Sequence, residues 1–266
     1  MTIQNKSYPS CNPHAETARA GHLGISQADR HRRSLDQYHR PARMRADAAA
    51  GRHQPYRPFD HQGTSAQYRA GIFFEHMQAM REGTGTAIDQ IMTTGVDHLI
   101  MGVALETFWG GVAAADKLQQ ELADRAGVGV SMGSTAAVAA LRKFGAKKIA
   151  VLTPHQPRGD EIVRAYLTEA GFDIVRLKGL ACASPRVIAQ VPIEVIRNAL
   201  RELDGPDVDG LLQVGTALPT VAVAAEAERW FGKPVLAVNA VTYWDALRCC
   251  GIEDRIHGFG RILEEF

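Results

Sequence analysis

The first 95 residues contain no valine, although valine is frequent from Val96 onward. The chain also has no hydrophobic run near the roughly 20 residues that a membrane-spanning helix needs, and its start has no apolar stretch typical of a secretory signal. Its 30 lysines and arginines nearly balance its 29 aspartates and glutamates, so no excess charge favours nucleic acid or a membrane surface. We therefore expect a globular, cytoplasmic protein with neither of those partners.

Cysteine is scarce as well: the four are Cys11, Cys182, Cys249 and Cys250. They form no CxxC pair and no zinc spacing, and the histidines are scattered. This excludes the common metal-binding patterns, and we predict no metal site. The adjacent pair Cys249-Cys250 is interpreted as structural.

A regular alternation of apolar strands and amphipathic helices begins near residue 96. We predict strands at 97–105, 128–133, 147–154, 172–179, 210–215 and 233–239, and helices at 134–145, 159–171, 192–203, 220–232 and 242–251. Ser134 or Thr135 is expected to cap the first of these helices, and Asp160 the second. Strands that alternate with helices of ten or more residues predict a parallel, doubly wound α/β sheet.

Residues 1–73 have a different composition. Six of the ten histidines lie there together with many arginines, and aliphatic residues are sparse. A disordered basic tail is one interpretation. The abundance of His, Arg, Gln and Tyr, rather than Glu, Lys and Ser, is not typical of such tails.

Three stretches in the second half form an ordered set: GSTAAVAALRKFGAKKIAVLTPH (133–155), DGLLQVGTALPT (209–220) and GKPVLAVNAVTYWDALRCCGI (232–252). Over about residues 96–266 the chain resembles the aspartate/glutamate racemase superfamily, in its maleate isomerase and arylmalonate decarboxylase branch. The resemblance implies two pseudo-symmetric Rossmann-like domains with parallel sheets, formed by residues 74–122 plus 235–266 and by 123–234. It also implies an active site in the cleft between them, no cofactor, a small carboxylic acid as substrate, and association into a homo-oligomer.

The resemblance exposes a missing element near the N-terminus. The family's first strand normally ends in a motif like Pro-Ser-x-Asn-Thr, which this chain lacks. Read one nucleotide downstream, codons allowed for residues 28–44 encode PIGIVVPSTNTIVQPE, an apolar strand followed by that motif. Our hypothesis is that about residues 20–73 are translated out of frame, and that residues 1–70 are therefore irregular or poorly ordered. The nucleotide sequence tests this, and a well-packed central strand at 28–34 would contradict it.

The family's cysteines are absent from both strand ends of the expected site. Gly215 stands where the resemblance implies a cysteine, and Val103 and Ala104 stand at the other cysteine and at its hydroxyl neighbour. This excludes a two-thiol racemase mechanism. Glu106 is the ionisable residue in the loop that should border the cleft, and a carboxylate beside aromatic residues has a raised pKa suited to general acid or base catalysis. A helix-start glutamate is the alternative.

Other candidates would bind the substrate carboxylate. His155 stands where the resemblance implies a tyrosine donor, and we predict a catalytic role for it. Thr216 offers a hydroxyl and a backbone N–H, Ser134 and Thr135 lie at a helix start that favours anions, and Asn239 ends the last predicted strand. Gly215 either admits the substrate close to the backbone or permits a turn.

Four functions remain open at this stage. The first is a cofactor-independent isomerase or decarboxylase in which Glu106 or His155 replaces the thiols. The second is a hydrolase that uses the same two residues, and the third is a catalytically silent protein that binds carboxylates. The fourth is a damaged product of a gene that encodes an active relative.

Overall fold

The structure, a computed structural model, describes residues 70–266, with side chains from residue 78 onward. The hypothesis of an out-of-frame segment and the expected lack of order concern residues that lie almost entirely outside this range. Within it, helices and strands alternate along the chain, and the strand pairings are parallel. The predicted α/β class with parallel sheets is confirmed.

The described elements are, in chain order, α1 (Ala70–Met92), β1 (His98–Met101), α2 (Leu105–Phe108), α3 (Gly111–Ala126), β2 (Gly129–Met132), α4 (Gly133–Lys143), β3 (Lys148–Thr153), α5 (Pro157–Glu169), β4 (Asp173–Gly179), α6 (Pro185–Ile188), α7 (Ile193–Leu203), β5 (Gly210–Gln213), α8 (Val221–Phe231), β6 (Val235–Ala237), α9 (Val238–Cys249) and α10 (Arg261–Glu265). None of these helices combines the length and the apolar content needed to cross a membrane.

The larger sheet has the strand order β4-β3-β5-β6. Its central strand β3 is an unbroken apolar run in which residues 149–152 are fully buried, as expected for a parallel strand covered on both faces. Helix α7 adds a buried face that includes Ile196 and Leu200. Strands β3 and β5 pair directly in parallel, so their carboxyl ends lie side by side at one edge of the sheet.

The smaller sheet pairs β1 with β2, in the register Leu99 to Val130 and Met101 to Met132. Strand β6 of the larger sheet leads directly into α9, which packs against β1, β2 and α4. Helix α9 thus connects the end of the larger sheet to the smaller one. The predicted domain boundary between residues 122 and 123 falls within α3, and the strand that follows α3 pairs with β1.

Several element ends differ from the sequence predictions. Strand β6 stops at Ala237 and α9 starts at Val238, so Asn239 lies in the first turn of a helix rather than at a strand end. Helix α4 begins at Gly133, and the predicted cap by Ser134 or Thr135 is wrong. The physical reason is a partner from another helix: the N–H of Ser134 donates to the hydroxyl of Thr107, in α2, at 3.2 Å.

Asp160 was also expected to cap its helix, and this is wrong too. Helix α5 starts at Pro157, whose fixed φ suits a first helical position, with Gln156 before it. Asp160 therefore lies inside the first turn. Its carboxylate instead accepts a hydrogen bond from the Thr153 hydroxyl.

Candidate active site

The ends of β1 and β5 meet at one hydrogen bond. The hydroxyl of Thr216, which follows β5, donates to the carbonyl of Gly102, which follows β1, at 2.8 Å. The side-chain amide of Asn239 donates to the carbonyl of Thr216 at 2.9 Å. The structure therefore brings Thr216, Asn239 and the start of the 103–106 loop together, although they come from three separate elements. In this arrangement the Thr216 hydroxyl already donates to a protein carbonyl, so a ligand must compete for that proton or use the backbone.

Gly215 occupies a position that has no room for a side chain. Its φ is +112°, and a Cβ atom there would lie 2.5 Å from Cγ and 2.6 Å from Cδ of Pro154. Its carbonyl accepts a hydrogen bond of 2.8 Å from the buried amide of Gln213. The β5 end thus presents backbone rather than a side chain at this point.

Glu106 lies in α2 and is only 1% exposed. Its Oε1 is 3.3 Å from Nε of Arg81, whose guanidinium carbon lies 4.7 Å from the centre of the Trp109 ring. Neither carboxylate oxygen has a hydrogen-bond partner among the described residues. Burial raises the pKa of Glu106, and the Arg81 charge opposes that shift. The Glu106 carboxyl is therefore shielded from water, and the Arg81 charge offsets only part of the resulting rise in its pKa.

The loop before α2 is linked to the start of α4. Ala104 is buried and Val103 is half-buried. The Thr107 hydroxyl donates to the Ala104 carbonyl at 2.7 Å while it accepts from the Ser134 N–H. Ser134 is fully buried, and its hydroxyl has no hydrogen-bond partner in the described part of the chain. The Thr135 hydroxyl donates to the carbonyl of Met132 at 3.3 Å.

His155 follows β3 and is half-buried. Burial lowers the pKa of its imidazole to about 4, so the ring is neutral at pH 7 and is not an acid there. Its Nε2 has no hydrogen-bond partner among residues 78–266. A neutral imidazole has one N–H donor and one acceptor nitrogen, so His155 suits hydrogen bonding to a ligand, while its lowered pKa makes it a weak base.

Cys182 lies beside the loop that contains Pro154 and His155, and the sequence did not indicate this contact. Its N–H donates to the Pro154 carbonyl at 3.0 Å. The thiol is buried, and desolvation raises the pKa of Cys182. A thiol with a raised pKa is a poor nucleophile at neutral pH, so this contact does not replace the absent family cysteines.

Sequence reasoning missed Arg81, Thr107 and the partner of Asp160. Each of them acts through a contact with another element. Arg81 and Thr107 do not stand next to a predicted strand end, whereas Thr153, the partner of Asp160, ends β3. Within the described residues, no three histidine, cysteine, aspartate or glutamate side chains are grouped so that they could hold a metal ion.

Comparison with known proteins identifies one matching family and several similar proteins. The family model described as arylmalonate decarboxylase matches residues 74–263. A maleate isomerase from Nocardia farcinica is 26% identical over 197 residues, which cover 72% of this chain and 78% of that protein. An arylmalonate decarboxylase from Bordetella bronchiseptica is 26% identical over 197 residues, 68% of this chain and 82% of that protein. The solved structure of the Nocardia farcinica maleate cis-trans isomerase bound to TRIS matches with a TM-score of 0.69 and 25% identity, over 72% of this chain and 80% of that one.

Proposed function

Because the chain belongs to the arylmalonate decarboxylase family, we propose that it is a cofactor-independent enzyme that decarboxylates a small dicarboxylic acid. The observation that carries this proposal is the hydrogen bond between Thr216 and Gly102. It joins the ends of β1 and β5, so the loop that leads into α2, the helix of Glu106, begins beside the Thr216 hydroxyl.

The proposed binding site for the carboxylate combines backbone and side-chain donors. The first turn of α4 begins with backbone N–H groups that have no partner within the helix, which favour an anion. The Ser134 N–H among them donates to the Thr107 hydroxyl, and the buried Ser134 hydroxyl lies in the same turn. Thr216 and Gly215 add backbone N–H groups at the other strand end. Donors that are already oriented stabilise negative charge as it develops, without reorganisation.

The reaction requires one proton on one face of the substrate. The bond between the α-carbon and one carboxylate breaks, CO₂ departs, and the electron pair is delocalised onto the remaining carboxylate. A proton then moves from an acid to the α-carbon, and solvent reprotonates that acid. Glu106, with its raised pKa, is the proposed acid, while neutral His155 donates a hydrogen bond to the retained carboxylate.

Decarboxylation is favoured over thiol-dependent isomerisation by the backbone at Gly215. A cysteine-to-serine variant of the Nocardia farcinica maleate cis-trans isomerase has a covalently bound succinylcysteine intermediate, which is formed on a cysteine. In this chain a side chain at Gly215 would collide with Pro154, and Val103 offers no nucleophile at the other strand end. A single acid suffices for decarboxylation, whereas covalent isomerisation needs a thiolate.

The test measures turnover of phenylmalonate and maleate in D₂O by NMR, which reports loss of carboxylate, cis-trans conversion and deuterium at the α-carbon. We expect decarboxylation of the malonate with incorporation of one deuterium. Glu106→Gln should lower kcat/KM by about 10²-fold or more, as for loss of a general acid. The exposed Thr168→Val on α5 is the matched control and should behave as the parent.

A second candidate, a protein that binds carboxylates without turnover, is favoured by the complete burial of Glu106 against Arg81. Calorimetric titration with malonate separates the two candidates. Saturable binding that Thr216→Val weakens, without turnover of either acid, would support the second candidate and reject the first. Turnover that survives both Glu106→Gln and His155→Gln would show that the proposed acid and hydrogen-bond donor are wrong.

A further inference from the structure

The segment Thr153-Pro154-His155 is held in place by a short chain of hydrogen bonds. The Thr153 hydroxyl accepts from the backbone N–H of His155 at 3.1 Å and donates to Oδ1 of Asp160. Thr153 is fully buried at the carboxyl end of β3, and Asp160 lies in the first turn of α5. The carboxylate therefore orients the hydroxyl that accepts the His155 N–H, while the carbonyls of Thr153, Pro154 and His155 accept backbone hydrogen bonds from residues 180–182.

Glycines on three different elements make room for this segment. A Cβ atom on Gly179, at the end of β4, would lie 2.0 Å from Oδ2 of Asp160. A Cβ atom on Gly159, in α5, would lie 2.7 Å from Cβ of His155. Gly215 similarly admits the Pro154 ring. The absence of a side chain at Gly179 thus admits the Asp160 carboxylate against the end of β4, within reach of Thr153.

We infer that Asp160 is a positioning residue for His155, acting through the Thr153 hydroxyl. The importance of this positioning for catalysis rests on the proposed function, because that proposal gives His155 its contact with the substrate. The sequence indicated Asp160 only as a helix cap, and the structure shows that Gln156 stands at the cap position instead.

The charge of Asp160 changes in a range that an assay can reach. Burial raises its pKa to about 6, while the Thr153 hydrogen bond and Arg164 lower it and Glu161 raises it. On the neighbouring strand β4, Lys178 is paired with Glu202. Above pH 6 the ionised carboxylate accepts the Thr153 proton. Below pH 6 the protonated carboxyl is a weaker acceptor, and the support of the His155 backbone decreases.

The experiment follows the His155 ring by NMR in the full chain, with its resonance assigned by its loss in His155→Gln. In the parent, we expect the chemical shift of the His155 ring to show a small inflection near pH 6, in addition to the titration of the ring itself. Asp160→Asn keeps an acceptor for Thr153, so it should retain the parent's resonance position at pH 7.5 and lose the inflection. Asp160→Ala should displace the resonance and weaken malonate binding by about tenfold or more. Glu161→Gln, which removes an exposed carboxylate in the same turn, is the matched control: it should leave the resonance position at pH 7.5 and malonate binding as in the parent, and should move only the inflection, to lower pH, because the Glu161 charge raises the pKa of Asp160.

Thr153→Val removes the bridging hydroxyl without removing the carboxylate, and it keeps the test decisive if Asp160→Ala fails to fold. It should displace the His155 resonance in the same direction. The inference is overturned if Asp160→Ala or Thr153→Val leaves the resonance in place, or if Asp160→Asn displaces it as much as Asp160→Ala does. If the resonances behave as expected but His155→Gln binds malonate like the parent, the role of His155 in the proposed function fails while the positioning inference stands.

Discussion

Replacing Gly215 by alanine should cost about 3 kcal/mol of unfolding free energy. A non-glycine residue at φ +112° costs about 1 kcal/mol or more. The new Cβ atom would lie 2.5–2.6 Å from the Pro154 ring, and relief of such overpacking costs about 1–3 kcal/mol. For a chain of this size we therefore expect the melting temperature to fall by about 6–12 °C.

A double-mutant cycle measured by urea denaturation separates the two contributions. Pro154→Ala removes the ring atoms Cγ and Cδ, so Gly215→Ala should cost only about 1–2 kcal/mol in that background. Gly232→Ala is the matched control, because Gly232 has φ +68° with no atom near its missing Cβ, and it should cost about 1 kcal/mol. An equal cost for Gly215→Ala in both backgrounds, or a cost no larger than that of Gly232→Ala, would refute the argument that no thiol fits at this position.

Buried polar groups give three further predictions. Arg81→Met removes the charge that opposes the rise in the pKa of Glu106. The alkaline limb of the pH–rate profile, along which the protonated form of Glu106 is lost, should therefore move to higher pH. An unmoved limb would contradict this. Burial raises the pKa of Glu228 from 4.5 to about 7. Its protonated form therefore stabilises the fold fully below pH 4.5, and that contribution, up to about 3 kcal/mol, is lost as the pH rises from about 4.5 to about 7. Glu228→Gln should therefore gain stability relative to the parent between pH 5 and pH 8 in denaturant titrations, and a constant difference would reject the assignment. Ser131→Ala removes the hydroxyl that donates to Asp245 at 2.6 Å and lies 2.9 Å from Nε2 of His98. It should cost about 1–3 kcal/mol, because a half-buried carboxyl and an imidazole both lose a partner. An unchanged urea midpoint would contradict this.

The larger sheet was predictable because three of its strands, β3, β5 and β6, are buried along almost their whole length, while β4 is half-buried. Strand β3 is an unbroken apolar run between a helix-ending glycine and a Pro-containing loop, a pattern that needs no tertiary information. Helix α3 was not predicted, since its buried residues are only Ala115, Leu122 and Ala126. Small alanine side chains give too little apolar periodicity to mark a helix in the sequence.

Part of the candidate site was also accessible from the sequence. Thr216 and the loop after β1 both follow parallel strands, and the carboxyl ends of such strands are where ligands bind. Since β1 and β5 belong to separate sheets, only the family resemblance implied that the two ends face one cleft. The partners of these residues were not accessible, because they depend on how separate helices pack. Arg81 reaches Glu106 from α1, and Thr107 reaches Ser134 from α2. Asp160 is close to Thr153 in sequence, but its role depends on the space beside Gly179 that only the folded sheet provides.

The most direct test of the account is a malonate titration followed through the backbone amide resonances of Ser134 and Thr216 in the labelled full chain. If the start of α4 and the end of β5 form one anion site, both resonances should shift along a single binding curve, and Thr216→Val should weaken that curve at both positions. Two different affinities, or a shift of one amide without the other, would show that the strand ends do not act on the same ligand.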